Sequence, residues 1–468
     1  LPNLPPELWI MIIRYACLPG PDEVGIAVAS LLVDHPLYTS PHRQTPAYKL
    51  YLRLMDQKRS FALVSKMWNA YAQPALYEWV WLSNKRQAKA LALTLLCQVS
   101  KEFFSSPIFF SLLHIETTVL ARCNPADIRT ILDYAPRLVS FSDYSGMRRN
   151  LSEEALERDG GVSGMLRVLG PLPLKRLTWT CYGDGADLVE VERSPSSSSS
   201  YAALEYLELD FNTMAGGGSV ARSKLLNDYY SNKGRVVLPH LQTLVLTLDQ
   251  SALGRIARWE LPKLSNLSIR SGGGGTGETG WELFFLAHGR KVRMLELDED
   301  DEEAEEALLD AEDVLLAGGL PEILTGLRVF ITNAGCASWD WTNPDWIAPH
   351  ALLPNHTGVE IVGVRGLEGR MWGAWGEWVG HLRANPPLSP SPDPLDPYSS
   401  DESPFFMLFE QLSSLLQPET FPALKYIRDL SEGSDLMRRG EIGFWQRLLE
   451  RTKARGVWLE DWRGLNVT

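Results

Sequence analysis

The stretch of this 468-residue chain that comes nearest to a chemical motif is Gly275-Thr276-Gly277-Glu278-Thr279-Gly280, a G-x-G-x-x-G sequence. It follows a predicted strand and precedes a helical Trp281–His288, and the acidic Glu296 lies about 20 positions beyond Gly275. In a dinucleotide site such glycines let the backbone approach a pyrophosphate at a helix N-terminus, and the acid binds the ribose. The competing explanation is a plain connection, because the step from Leu264 to Val292 is an ordinary unit of the repeat described below and the Gly-rich loop joins its strand to its helix. The connection is the preferred reading, with an enzyme built on this loop kept as a third hypothesis. Elsewhere the eight histidines form no His-x-His or His-x-x-x-His pair and none stands at zinc spacing from a cysteine. Neither a Gly-Lys-Ser/Thr phosphate loop nor a Gly-x-Ser-x-Gly elbow occurs. No catalytic residue, cofactor or metal is expected.

Binding is better represented than catalysis. Nine of the sixteen tryptophans lie at or after Trp339, among them Trp339, Trp341 and Trp346, then Trp372, Trp375 and Trp378 at i, i+3, i+6. Trp-rich surfaces make binding hot spots, and Trp372 and Trp375 are target-binding candidates. The same spacing also fits one buried helix face. Eleven acidic residues and no basic one fall between Asp298 and Asp313, so without that tract the formal charge of −13 drops to −2. With no basic stripe, nucleic acid is not an expected partner. Nor is a membrane, because no apolar run approaches the ~18–20 residues of a spanning helix. Five scattered cysteines without a Cys-x-x-Cys pair point to a reducing compartment, cytoplasmic or nuclear.

Any such surface has to be positioned by the elements around it, and from residue 112 onward these recur. Leu112-Leu-His-Ile115, Leu138-Val-Ser-Phe141, Leu174-Lys-Arg-Leu177, Leu204-Glu-Tyr-Leu207 and Leu241-Gln-Thr-Leu244 share one pattern. It continues as Leu264-Ser-Asn-Leu267, Val292-Arg-Met-Leu295, Leu327-Arg-Val-Phe330, Val359-Glu-Ile361 and Leu424-Lys-Tyr-Ile427. From Leu112 to Val359 successive units start 23 to 37 residues apart, room for a strand, a turn, a helix and a return. One unit cannot bury its apolar strand face alone, so the units are expected to stack into a parallel sheet. Separate doubly wound domains would need longer, fully apolar strands. The pattern resembles an irregular leucine-rich-repeat horseshoe without an Asn ladder. Ser194–Ser200, Gly216–Gly218, Gly272–Gly277 and the acidic tract are expected loops; Asn385–Pro404, with seven prolines, is expected to be disordered or polyproline II.

Ahead of the repeats, Leu4-Pro-Pro-Glu-Leu8 opens a helix whose Leu8, Ile12 and Ala16, with Trp9 and Ile13 beside them, form an apolar stripe. Phe61, Val64, Trp68 and Tyr71 fall on one face of a second helix, expected to stop at Pro74. A further helix is expected around Ala47–Leu54, and Trp79–Phe110 reads as helical, with Gln87–Val99 a linker helix. The words Leu-Pro-Pro-Glu-Leu and Ala62-Leu-Val-Ser-Lys-Met-Trp68-Asn, followed by Pro74-Ala-Leu-Tyr77, resemble the F-box, especially its fungal variants, over about the first 80 residues. The resemblance implies docking on the Skp adaptor of a cullin-RING ubiquitin ligase through Leu4, Pro5, Leu8, Ile12, Leu63, Val64 and Trp68. A compact F-box has a short loop where this chain inserts Leu18–Arg59.

The expected organisation is an α/β chain: a small all-α F-box-like module over 1–82 with its insertion at 18–59, linker helices over 83–110, and a leucine-rich-repeat-like solenoid over 111–468 interrupted at 385–404. Beside the buried leucines, Glu205, Glu208, Gln242, Thr243, Ser265, Ser268, Arg293 and Glu296 are expected to line an exposed face for an unidentified target protein, and the last helix, Glu441–Lys453, to begin a cap. The expected function is the substrate-recognition subunit of an SCF-type (Skp-cullin-F-box) ubiquitin ligase, which performs no bond chemistry itself. The runner-up is a repeat scaffold for protein interactions without ligase coupling.

Overall fold

A computed structural model describes residues 4–17, 46–99, 112–118, 121–144, 146–147, 164–180, 201–210, 236–248, 250–271, 279–298, 319–334, 338–339, 347–348, 353–373, 405–431 and 443–467. The expected loops at Ser194–Ser200, Gly216–Gly218 and Gly272–Gly277, the acidic tract from Glu299, the Pro-rich 385–404 and most of the insertion (18–45) lie outside them. The chain divides into two compact units, the first running up to Thr247 and including Arg258–Lys263, the second comprising Leu248–Ala257 and Leu264–Thr468.

The first unit begins with helices α1 (Pro6–Ala16), α2 (Pro46–Ala62) and α3 (Lys66–Glu78). Pro6 occupies the first turn of α1, where its missing N–H costs nothing, and the Pro5 carbonyl accepts from Leu8 and Trp9. Ser65 caps α3 by accepting from the Trp68 amide at 3.1 Å. Two expectations change here. Phe61 belongs to α2 rather than to the helix of Trp68, because the chain turns at Leu63 and Val64. Pro74 sits inside α3, removing one donor while the helix continues to Glu78.

Six parallel strands follow in sequential spatial order: β1 (Trp79–Leu82), β2 (His114–Thr117), β3 (Ser140–Asp143), β4 (Arg176–Thr180), β5 (Tyr206–Asp210) and β6 (Thr243–Leu248). Between them lie α4 (Lys85–Val99), α5 (Pro125–Asp133) and α6 (Gly164–Leu169). The helical reading of 79–82 is corrected. Trp79-Val-Trp-Leu pairs residue for residue with His114–Thr117 as a strand, and its four successive apolar residues carry no period that separates strand from helix.

The second unit holds α7 (Gln250–Ile256), β7 (Asn266–Ser271), α8 (Thr279–His288), β8 (Met294–Asp298), α9 (Gly319–Ile323) and β9 (Val329–Asn333). A two-stranded antiparallel pair comes next, β10 (Ser338–Trp339) and β11 (Ile347–Ala348). Then follow β12 (Ile361–Arg365), a helix α10 (367–373), α11 (Phe406–Leu415), β13 (Tyr426–Asp429), α12 (Gly443–Arg455) and β14 (Trp458–Glu460). Its parallel strands lie in the order β7-β8-β9-β12-β13-β14. The expected cap after α12 is therefore one more strand of the sheet. Gly456 makes the turn into it at φ +73°, which a side chain would strain, and Val457 donates to the Thr452 carbonyl.

In both units the repeated leucines are the core. Leu138 and Phe141, Leu174 and Leu177, Leu204 and Leu207, Leu241, Leu244 and Leu246, Leu264 and Leu267, and Leu327 and Phe330 are all buried. Each contributes roughly 1.5–3 kcal/mol relative to exposure. One register differs from expectation: at Val359-Glu-Ile361 the buried pair is Val362 and Val364, and Ile361 faces the other side of the sheet, half-exposed. Helix-side packing selects Val362 because the strand period of two puts Ile361 and Val362 on opposite faces.

Candidate docking surfaces

The three N-terminal helices share a small core of Ile13, Cys17, Ala72 and Ala75, against which Phe61, Ala62, Trp68 and Tyr71 pack. Trp68 is its hinge, with its ring 5.3 Å from Trp9 and 5.8 Å from Phe61. At the far end Arg14 of α1 grips the Glu78 carboxylate at the end of α3, Nη2 donating to Oε1 at 2.5 Å and Nε to Oε2 at 3.2 Å. Asn69 Nδ2 donates to the Ala62 carbonyl at 3.2 Å and fixes the angle between α2 and α3.

With Ile13 turned inward, a different arc of α1 faces out. Leu8, Met11, Ile12 and Tyr15, at i, i+3, i+4 and i+7, are exposed, Leu8 at 43% and Ile12 at 47%. In the turn before α3, Leu63 is 85% and Val64 60% exposed, and Met67 follows at 50%. Large apolar side chains exposed together, rather than singly, mark an interaction surface. Of the expected adaptor-facing residues, Leu8, Ile12, Leu63, Val64 and Pro5 are thus exposed, Leu4 is partly so, and Trp68 is half-buried behind them. Sequence reasoning missed Met11, Tyr15 and Met67. The helical period from Leu8 would have placed Met11 and Tyr15 on this arc.

The expected target face turns out differently. Glu208, Thr243, Ser268 and Glu296 are buried, not exposed, whereas Gln242 and Arg293 are exposed and Glu205 and Ser265 are half-buried. Register explains part of the burial. Thr178 lies opposite Glu208 on β4 and donates to Glu208 Oε2 at 3.1 Å, as does Tyr206 Oη from the same strand and face. Side chains on one face of neighbouring strands stand ~5 Å apart and screen each other. Trp372 on α10 is exposed; Trp341, Trp346, Trp375 and Trp378 lie outside the described residues.

Titratable groups gather on the same side of the first unit's sheet. Trp79 Nε1 donates to Glu116 Oε1 at 3.0 Å, and Arg176 lies 4.0 Å over the Tyr206 ring. Burial pushes the Glu116 carboxyl up to about 7 although Arg176 and the Trp79 bond pull it down. Glu296, the acid expected for a ribose, is engaged by Arg365, while Gly275 and Gly277 lie outside the described residues. Among the described residues no three His, Cys, Asp or Glu side chains cluster as metal ligands, and no helix is long and apolar enough to cross a membrane.

No protein-family model matches the chain, and no curated protein sequence does.

Proposed function

We propose that the chain is the target-recognition subunit of an SCF-type ubiquitin ligase, docking on a Skp-type adaptor through its N-terminal helices and holding a target protein on leucine-rich-repeat-like units. The observation that carries this reading is the outward arc of Leu8, Met11, Ile12 and Tyr15 together with the exposed Leu63–Val64 turn. These residues sit on a three-helix frame and supply apolar area left uncovered among the described residues, the kind of surface a partner buries. The sequence words that resemble the F-box fall on this frame. The sequential parallel strands, most of them anchored by one Leu-x-x-Leu-like step, support the repeat reading.

The chain's contribution is then proximity. A bound target is held at high effective concentration near the ubiquitin-charged enzyme that the cullin arm carries, and the chain needs no catalytic group of its own. A purified Skp-type adaptor should form a stoichiometric complex with the chain, abolished by Leu8→Asp with Ile12→Asp. If the intact chain ignores the adaptor, the scaffold without ligase coupling replaces this reading.

A further inference from the structure

The second unit carries an in-register row on the face of its sheet opposite the leucine core. Met294 pairs with Val329, Val329 with Ile361, Ile361 with Tyr426, and Tyr426 with Trp458, one residue from each of β8, β9, β12, β13 and β14. All five are apolar or aromatic, and none is buried: four are half-exposed and Trp458 is 55% exposed. Tyr426 and Trp458 meet edge to face with ring centroids 6.2 Å apart. An open sheet face usually alternates to polar residues, so a continuous apolar row is a surface in need of a cover.

A second row borders it. Arg293, Arg328, Glu360 and Lys425 immediately precede the first four ladder residues and are linked through successive backbone bonds, Arg328 N to Arg293 O, Glu360 N to Arg328 O and Lys425 N to Glu360 O, each 2.8 Å. The row holds three cations and one carboxylate. Glu360 takes Lys425 Nζ at 2.6 Å and lies 3.9 Å from Arg328, which leaves the border with an excess of positive charge. The free edge of β14 is not the docking element, because Val467 N already donates to Leu459 O and Asn466 bridges Glu460.

We infer that this ladder docks an amphipathic α-helix of a partner, laid across the strands, with acidic side chains beside its apolar stripe. Strands repeat every ~4.8 Å, and a helix brings an apolar residue round about every 5.4 Å. Over four strand intervals the two drift apart by roughly 2–3 Å, which flexible Met and aromatic ends absorb. An extended peptide advances about 6.8 Å between residues of one face and is out of step by ~8 Å over the same span. The acidic flank follows from the Arg293–Arg328–Lys425 border. The inference concerns the second unit alone and stands whether or not the N-terminal helices bind an adaptor.

The test uses the full chain and labelled synthetic helices of about 18 residues, long enough to cross five strands. One has Leu at i, i+4, i+7 and i+11 flanked by Glu, one has Lys in place of Glu, and one has the apolar period scrambled. Fluorescence anisotropy should give binding of the Glu helix, at least about tenfold weaker binding of the other two, and about tenfold loss for Trp458→Ala with Tyr426→Ala. Arg328→Glu with Lys425→Glu, which leaves the apolar row intact, should reverse the preference between Glu and Lys helices. Equal binding of all three helices, or Glu-helix binding unchanged in both variants with their thermal unfolding intact, overturns the inference.

Discussion

Arg365 on β12 reaches over β9 to Glu296 on β8, its Nε donating to Oε1 at 2.5 Å, with both side chains almost fully withdrawn from water. The register makes the crossing possible. Glu296 stands level with Ile331, and Arg365 with Asn333 one step further along the same face. Beside it Gly366 adopts φ +68° where a Cβ would come within 2.5 Å of Asn333 Oδ1, so the chain leaves β12 through a position that only glycine fits. Removing one partner takes the opposite charge away from the other in a site withdrawn from water. Arg365→Met or Glu296→Leu alone should therefore cost about 3–5 kcal/mol in urea unfolding, and the double variant should recover most of the loss.

Two titratable groups, the buried His288 and the half-buried Glu116, give stability opposite pH dependences. Burial and the neighbouring Lys291 charge hold His288 down at about 4, against the pull of the Ile256 and Ala257 carbonyls. The unfolded chain takes that proton first, so this contribution is full above pH ~6.5 and is lost as pH falls toward 4, on the order of 3 kcal/mol. Glu116, raised to about 7, works the other way: its ionised form is penalised in the fold, so its contribution is full below about pH 4.5 and is lost as pH rises through 7. Urea titrations at pH 8 and pH 4.5 should find Glu116→Gln more stable than the parent at pH 8 only, by on the order of 2 kcal/mol, and His288→Leu less sensitive to acid.

The Ser65 cap lies directly after the exposed Leu63–Val64 turn. Ser65→Ala should cost about 1 kcal/mol and speed hydrogen exchange at the start of α3, while helices α5 and α12 keep their protection. An unchanged exchange rate at the Trp68 amide would contradict the capping role.

The repeated Leu-x-x-Leu steps were legible because a buried strand side needs large apolar residues at fixed offsets, and every such step from Leu112 to Leu424 begins with a residue that is buried. The first strand of the first unit and the last strand of the second were not. Trp79–Leu82 and Trp458–Glu460 lack the leading leucine, and their pairing partners lie more than thirty positions away. The exposed arc of α1 followed from helical spacing once Ile13 was seen to face inward. The target face was misjudged by a rule that polar strand residues face water: Glu208 and Ser268 are screened by register neighbours, while Ile361, placed among the repeated core positions, stands half-exposed on the opposite side of the sheet. Spacing alone assigns a side to each strand residue; it does not say which side water reaches.

The central claim is that the Leu8–Tyr15 arc and the Leu63–Val64 turn form one docking face for a Skp-type adaptor. Isothermal titration of the full chain with a purified adaptor tests it most directly. The account predicts one-to-one binding by the parent chain and none detectable by the Leu8→Asp, Ile12→Asp variant, because the complex would bury two unpaired carboxylates, with the far-ultraviolet circular dichroism of the two chains superimposable. Binding of equal strength by parent and variant, or no binding by a folded parent chain, would contradict it.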